Sequence, residues 1–217
     1  MTADQRLAQP EVLDYWDSRH KAKGELQSGG DLGYDHPNNE IFYALRLGRL
    51  IDAVGDIGEP MAPVRVLDAG CGKGYFARGM GRFGHVVDGI DASPQAVEQC
   101  REQGGPLENY AVCQLDRWSP TYLYDVVYCI DVLFHVTEDA LWERSVRNLC
   151  SLVRLGGTIA LVDHGGDFDK LWGNYMITRA AHRYVDLLTE LGFRYEQFVP
   201  YRFRTSPAGF HVATRTA

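Results

Sequence analysis

The stretch Val64–Phe76, VRVLDAGCGKGYF, decides how the chain folds. A short apolar run rich in β-branched residues ends in Asp68, three glycines follow at alternate positions, and a helix-like pattern begins at Tyr75. This order predicts a buried strand, a tight turn and a helix, the opening unit of a doubly wound α/β sheet. Alternate glycines allow a sharp bend and the close approach of a ligand, and the amides that open the helix point towards that ligand.

The spacing of the turn excludes two common nucleotide motifs. A dinucleotide fingerprint requires G-x-G-x-x-G, but Tyr75 occupies the position of its third glycine. A phosphate loop requires Gly-Lys followed by Ser or Thr, but Lys73 is followed by Gly74. The turn therefore predicts a ligand other than a standard dinucleotide or a nucleoside triphosphate.

The pattern D-x-G-x-G-x-G after a strand resembles the first motif of class I methyltransferases that depend on S-adenosylmethionine (SAM). The resemblance implies that SAM is the cofactor and S-adenosylhomocysteine its product. It implies that Asp68 lies near the positively charged methionine end, and that the cofactor rests on Gly70, Gly72 and Gly74.

Acidic residues at later strand ends extend this interpretation. Asp91 ends the second predicted strand, where a carboxylate can accept both ribose hydroxyls, with Asp88 as a weaker alternative. The resemblance further implies that Asp116, after the third predicted strand (110–115), receives the adenine amino group. Ile130, in the fourth predicted strand, is also implied as a cofactor contact.

The alternation of strands and helices predicts the fold class and the division of the chain into two parts. We expect a Rossmann-like α/β fold, with a seven-stranded, mostly parallel sheet and helices on both faces. The resemblance implies that a C-terminal helix (180–191) precedes a final antiparallel hairpin formed by 193–199 and 209–216. Residues 1–62 are expected to form an N-terminal helical cap or lid, and residues 63–217 the SAM-binding core.

The amphipathic segment 11–23 resembles the N-terminal helix of several small-molecule methyltransferases. That resemblance implies cofactor contacts from Tyr15, Trp16 and Arg19, with the arginine fork binding the cofactor carboxylate. Packing of this helix against the sheet edge, with Trp16 in the core and Arg19 in solvent, is the alternative.

Two histidines follow strand ends, where ligands of open α/β sheets bind. A hydroxyl acceptor must lose its proton during methyl transfer, so we expect a histidine base. His164 is the first candidate, because Asp163 beside it could orient its imidazole; His135, after the fourth strand, is the second. Asp131, Asp163 and His164 could instead hold magnesium, although their spacing does not require a metal.

The segment 165–177 combines aromatic, carboxylate and amide side chains, a mixture typical of sugar-binding sites: Asp167, Phe168, Asp169, Trp172, Asn174 and Tyr175. The chain also resembles small bacterial O-methyltransferases of polysaccharide assembly, such as the methylmannose polysaccharide 1-O-methyltransferase. A sugar or oligosaccharide acceptor, such as a mannoside, is therefore expected. Three alternatives stay open. The segment could be a packed covering loop, the acceptor could be a phenol, thiol or carboxylate, or the chain could be a non-catalytic SAM-binding module.

Composition narrows the partners of the 217-residue chain. Its net charge of −7 argues against tight binding to nucleic acid. No apolar run approaches the roughly 20 residues that span a bilayer, and no secretory signal is evident. Five cysteines without a C-x-x-C pair indicate reduced thiols in a cytoplasm. A homodimer is possible.

Overall fold

A computed structural model describes residues 6–31, 33–54 and 64–217. Three helices precede the first strand: α1 (Gln9–Ala22), α2 (Glu25–Ser28) and α3 (His36–Val54). The remaining elements follow in chain order: β1 (Arg65–Ala69), α4 (Tyr75–Arg82), β2 (Val86–Asp91), α5 (Pro94–Gln103), β3 (Glu108–Val112), β4 (Tyr124–Cys129), a 3₁₀ turn (Leu133–His135), α6 (Asp139–Ser151), β5 (Val153–His164), β6 (Lys170–Trp172), β7 (Met176–Thr178), α7 (Ala181–Glu190), β8 (Phe193–Pro200) and β9 (Ala208–Arg215).

Seven strands form one sheet in the order β3-β2-β1-β4-β5-β9-β8. The first five of these are parallel to one another, whereas β9 runs antiparallel to both β5 and β8. This confirms the predicted Rossmann-like fold class and its final antiparallel hairpin.

Side chains alternate between the two faces of the central strands, so helices cover both. On β1, Val66 packs with α3, α4 and α5, whereas Leu67 packs with α6 and α7. The apolar character of the central strands therefore follows from burial on both sides.

The ends of β3 and β5 differ from the sequence prediction, which ended these strands at Leu115 and Val162. β3 ends at Val112 rather than near Leu115, because a turn closed by the Arg117 amide and the Gln114 carbonyl leads the chain away from the sheet edge. β5 extends to His164 because Asp163 and His164 pair with Gly209 and Ala208 of β9. His164 therefore belongs to the strand itself.

The N-terminal segment contributes helices to both the cavity and the core. α3 packs on one face of the sheet, and α1 lies across the carboxyl ends of the strands. The expected boundary between residues 62 and 63 lies outside the described residues. Among the helices described, none is long and apolar enough to cross a bilayer.

Candidate active site

A cavity of about 1200 Å³, counted with its open mouth, lies at the carboxyl ends of β1, β2 and β4. Its floor is the turn Gly70–Lys73, and α1 covers it with Val12, Trp16 and His20. The cavity lies where open α/β sheets bind their ligands.

Two of the three predicted glycines line this cavity. Gly70 has φ +83°, and a β-carbon there would overlap the side chain of Val132, so both its conformation and its surroundings require glycine. Gly72 has φ +50° and faces His20 of α1. Gly74 caps α4 at φ +81° and packs against Arg78 instead of the cavity.

The carboxylate of Asp91 is fixed in the cavity wall by backbone amides. Its Oδ2 accepts a hydrogen bond from the Gly72 amide at 2.9 Å, and its Oδ1 accepts one from the Ser93 amide at 2.8 Å. Each carboxylate oxygen retains acceptor capacity. The arrangement can hold two neighbouring hydroxyl groups.

Asp68 lies behind the glycine turn, where it is 1% exposed and does not line the cavity. Burial raises the pKa of its carboxyl to about 7, and the nearby Tyr128 hydroxyl acts in the opposite direction. Any influence of Asp68 on a ligand therefore acts through the turn.

Four buried polar atoms in the cavity wall have no hydrogen-bond partner among the described residues: Trp16 Nε1, His20 Nδ1, Arg46 Nη2 and Asp116 Oδ1. Buried polar groups in proteins are almost always paired, so these atoms indicate a ligand with both donors and acceptors. Ile130 also lines the cavity. The donor and acceptor set suits a zwitterionic nucleoside such as SAM.

Arg19, predicted to bind the cofactor carboxylate, is occupied elsewhere. Its guanidinium donates to the carbonyl groups of Gln27 and Gly30 at 3.1 and 2.7 Å, and it does not line the cavity. Tyr15 also lies outside the cavity wall, with its ring 5.6 Å from that of Tyr175. On α1, Trp16 is the predicted cofactor residue that faces the cavity.

Arg46 of α3 is a cavity residue that sequence reasoning missed. It is 1% exposed, lies 4.1 and 4.2 Å from the ring centres of Phe42 and Tyr43, and forms an ion pair with Asp131. The available signal was its helical spacing within the buried stripe that contains Phe42, Tyr43 and Leu50. A charged residue at a core position indicates a paired or ligand-binding cation.

Asp131 follows β4 in a conformation that non-glycine residues rarely adopt, with φ +57°. Its carboxylate accepts hydrogen bonds from Arg46 and, at 3.1 Å, from the Tyr201 hydroxyl. These bonds hold the strained residue in place beside Ile130.

His135 lies in the cavity wall between two aromatic side chains. Its ring stacks on Tyr175 at 5.6 Å and 8°, and Trp16 lies edge-on at 4.6 Å. Nδ1 lies 3.3 Å from the Tyr175 carbonyl oxygen, which can only accept, so Nδ1 carries the hydrogen and Nε2 is the free acceptor. Burial lowers the pKa of His135 to about 4, so its imidazole is neutral near pH 7.

Asp163 does not orient the imidazole of His164, contrary to the sequence expectation. Its carboxylate accepts hydrogen bonds from the Tyr184 hydroxyl at 2.7 Å and from the backbone amides of Arg179 and His164. Successive strand residues point to opposite faces, so the two side chains diverge. Burial raises the pKa of Asp163 to about 6.

His164 lies outside the cavity wall, with its ring 5.7 Å from Trp172 and 6.3 Å from Phe134. Burial lowers the pKa of the His164 imidazole, and the nearby Asp131 partly offsets this decrease. The magnesium alternative is not supported, since the described ranges contain no group of three His, Cys, Asp or Glu side chains placed to hold a metal.

The segment 165–177 forms a small hairpin from β6 and β7, and none of its side chains lines the cavity. Asp169 accepts a bond from the Ala180 amide and pairs with Arg183, while Phe168 is 84% exposed. At least one polar group expected to bind a sugar, Asp169, is therefore bonded to other residues of the protein.

Comparisons with known proteins place the chain in a family. The family described as a methyltransferase domain matches residues 12–199. A ubiquinone biosynthesis O-methyltransferase of Thiobacillus denitrificans is 34% identical over 110 residues, which cover 48% of this chain and 46% of the relative. The chain thus matches about half the length of such curated relatives.

Solved structures share the fold at low sequence identity. Magnesium protoporphyrin IX methyltransferase of Synechocystis, with bound S-adenosylhomocysteine, aligns at a TM-score of 0.73 and 17% identity, covering 96% of this chain and 100% of that one. The 1,6-didemethyltoxoflavin-N1-methyltransferase of Burkholderia thailandensis, with bound 1,6-didemethyltoxoflavin and S-adenosylhomocysteine, aligns at 0.68 and 18%, covering 97% and 92%. The glycine turn, the cavity and the family match lead to one conclusion: the chain belongs to the class I SAM-dependent methyltransferases.

Proposed function

We propose that this methyltransferase acts on a hydroxyl group of a small acceptor and that Nε2 of His135 takes up the hydroxyl proton. The observation that carries the proposal is the bond between Nδ1 of His135 and the Tyr175 carbonyl, which leaves Nε2 as the acceptor nitrogen of a residue that lines the cavity. His164, the first candidate from the sequence, lies outside that wall.

The low basicity of His135 is compatible with this role. SAM, when bound, supplies an electrophilic methyl group, and the protein aligns the acceptor oxygen with it while excluding water. The C–O bond would form as the sulfonium–methyl bond breaks to leave a thioether, and the hydroxyl would then become strongly acidic. A neutral imidazole of low pKa can therefore accept the proton, because it need not ionise the free alcohol beforehand.

The unpartnered polar atoms support a specific placement of the cofactor. Asp91 would bind the ribose hydroxyls, and Asp116 Oδ1 would accept the adenine amino group. Arg46 Nη2 would bind the methionine carboxylate in the role that the sequence suggested for Arg19. Ile130 and the turn from Gly70 would contact the cofactor between these ends.

The acceptor is proposed to carry its hydroxyl on a ring, because aromatic side chains such as Trp16 and Phe76 face the cavity. A phenolic ring is favoured by the curated relatives named as ubiquinone biosynthesis O-methyltransferases. The sugar or mannoside acceptor suggested by 165–177 stays a prediction.

The N-terminal helices are proposed to act as a lid over the cofactor. Bonds to several separate loops hold α1 and the residues that flank it. Asp17 accepts from the Ser93 hydroxyl at 2.6 Å, Lys73 donates to the Lys23 carbonyl at 2.6 Å, and Leu7 bonds to Asn174. Because α1 covers the cavity, cofactor exchange would require some of these bonds to open.

The five thiols are free, which supports the expected cytoplasmic location. The possible homodimer stays a prediction.

A panel of acceptors with labelled SAM tests the proposed function. Catechol and phenol represent phenolic acceptors, methyl mannoside and mannose oligosaccharides represent sugars, and benzoate and a simple thiol complete the set. Transfer to oxygen of a phenol or sugar supports the proposal and selects the class. Transfer only to the benzoate carboxylate or to the thiol, or SAM binding without any transfer, contradicts it.

A further inference from the structure

Arg179, directly after β7, is a buried cation that lies outside the cavity wall. It is 1% exposed, and its guanidinium donates to three backbone carbonyls: Val136 at 2.7 Å, Leu133 at 3.3 Å and Ile177 at 3.4 Å. Both Nε and Nη2 also lie within 3.2 Å of Asp139 Oδ1. Such a set of acceptors uses most of the five donors of the fork.

The acceptors of Arg179 belong to the two segments that hold His135. Leu133 and Val136 flank the histidine in the 3₁₀ turn. Ile177 lies on β7, two residues after Tyr175, whose carbonyl binds Nδ1 of His135. One guanidinium therefore joins the turn that carries the imidazole to the segment from Tyr175 to Ile177, which fixes its tautomer.

We propose that Arg179 is a positioning residue for methyl transfer, which keeps His135 in the Nδ1–H tautomer with Nε2 facing the cavity. The inference rests on the proposed function of His135 as the base. Arg179 touches neither the cavity nor the imidazole, so its effect passes through the backbone of both segments.

The chemistry of the site explains why an arginine is needed there. A guanidinium presents donors in several fixed directions, whereas an ammonium is a compact charge that cannot span carbonyls on two segments. Burial lowers the pKa of Arg179, so the cation is kept at an energetic cost that Asp139 partly offsets. Trp142 stacks at 4.8 Å, and the Arg179 amide donates to Asp163, so the residue is fixed from both ends.

The direct test is the tautomer of His135 in the full chain with bound S-adenosylhomocysteine. Long-range ¹H–¹⁵N NMR distinguishes a protonated Nδ1 from a protonated Nε2. We expect the unmodified protein to show Nδ1–H, and Arg179→Lys to show a mixture of both tautomers. With the fastest acceptor of the panel, kcat should fall about tenfold, while SAM affinity changes less than about threefold.

Arg183→Lys is the matched control. Arg183 also pairs with Asp139 and stacks on Trp142, at 3.4 and 4.9 Å, but it has no bond to the carbonyls that flank His135. We expect this variant to keep the tautomer and kcat. If Arg179→Lys does not fold, Asp139→Asn loosens Arg179 without emptying its site, and we expect a smaller tautomer shift in the same direction.

Different results would overturn the positioning role of Arg179 and the role of His135 as the base. An unchanged His135 tautomer in Arg179→Lys, or in Asp139→Asn where only that variant folds, overturns the positioning role. A shifted tautomer with unchanged kcat also overturns it, because the reaction would not depend on the position of the imidazole. Full turnover in His135→Asn overturns the proposed base, whatever the Arg179 variants show.

Discussion

The chemistry of Arg46 depends on a contact distant in sequence, its ion pair with Asp131. Replacing it with Gln keeps some of its volume but removes the cation that pairs with Asp131 and would bind a carboxylate. Since charge-assisted hydrogen bonds contribute about 1.5–3 kcal/mol, we expect SAM affinity to fall about 10- to 100-fold by calorimetry. Arg49→Gln is the control, because Arg49 lies on the same helix outside the cavity. Equal affinities in both variants would contradict the assignment.

The pH profile follows from the burial of His135. Its pKa of about 4 keeps Nε2 unprotonated and able to accept a proton at all higher pH values. We therefore expect kcat to stay constant from about pH 8 down to about pH 5.5 and to fall only below that. If the histidine base had an ordinary pKa, the enzyme would lose activity as the pH falls through about 6.5. A fall in kcat centred there, absent in His135→Asn, would contradict the lowered pKa.

At the scale of elements, the glycine turn and α3 offer two substitutions with opposite outcomes. Gly70→Ala places a β-carbon against Val132 at φ +83°, so we expect a lower melting temperature and loss of SAM binding. Gly48→Ala, in α3, meets no atom within 4 Å and should stabilise the protein by about 0.5–1 kcal/mol. Thermal unfolding with and without SAM measures both. Normal SAM binding by Gly70→Ala would contradict the prediction that the glycine turn lies close to the bound cofactor.

The elements also show what sequence patterns predict well. β-branched runs that end in acids located the central strands, and those strand ends placed Asp91 and Asp116 in one cavity. The sequence prediction ended β5 two residues early, because the last residues of this strand pair with β9, far along the chain. Asp163 was assigned the wrong contact because alternation along the strand turns its side chain towards α7 and away from His164.

At the scale of the whole molecule, α1 and its flanking residues bond to loops that line the cavity and should govern cofactor release. Asp17 accepts from the Ser93 hydroxyl and, at 3.3 Å, from the Gln95 amide at the start of α5. Asp17→Asn weakens this contact, so we expect S-adenosylhomocysteine to dissociate about tenfold faster in stopped-flow measurements. Asp14→Asn, on the exposed side of α1, is the control. An unchanged rate in Asp17→Asn would contradict the lid.

The whole-molecule arrangement also explains which site residues the sequence did not reveal. Arg46 and Asp131 are separated by 85 positions, and their pairing depends on how α3 packs over the end of β4. The choice between His135 and His164 likewise depends on which strand end the cavity reaches. Local patterns identified both histidines as candidates, and only the packing of α1 and the hairpin distinguishes them.

The most direct test of the account is single-turnover methyl transfer by His135→Asn and His164→Asn, with saturating SAM and the fastest acceptor of the panel. If His135 is the base, we expect its variant to bind SAM normally and to transfer the methyl group at least about 100-fold more slowly. His164→Asn should transfer at nearly the unmodified rate. Normal transfer by His135→Asn together with loss of transfer by His164→Asn would contradict the account.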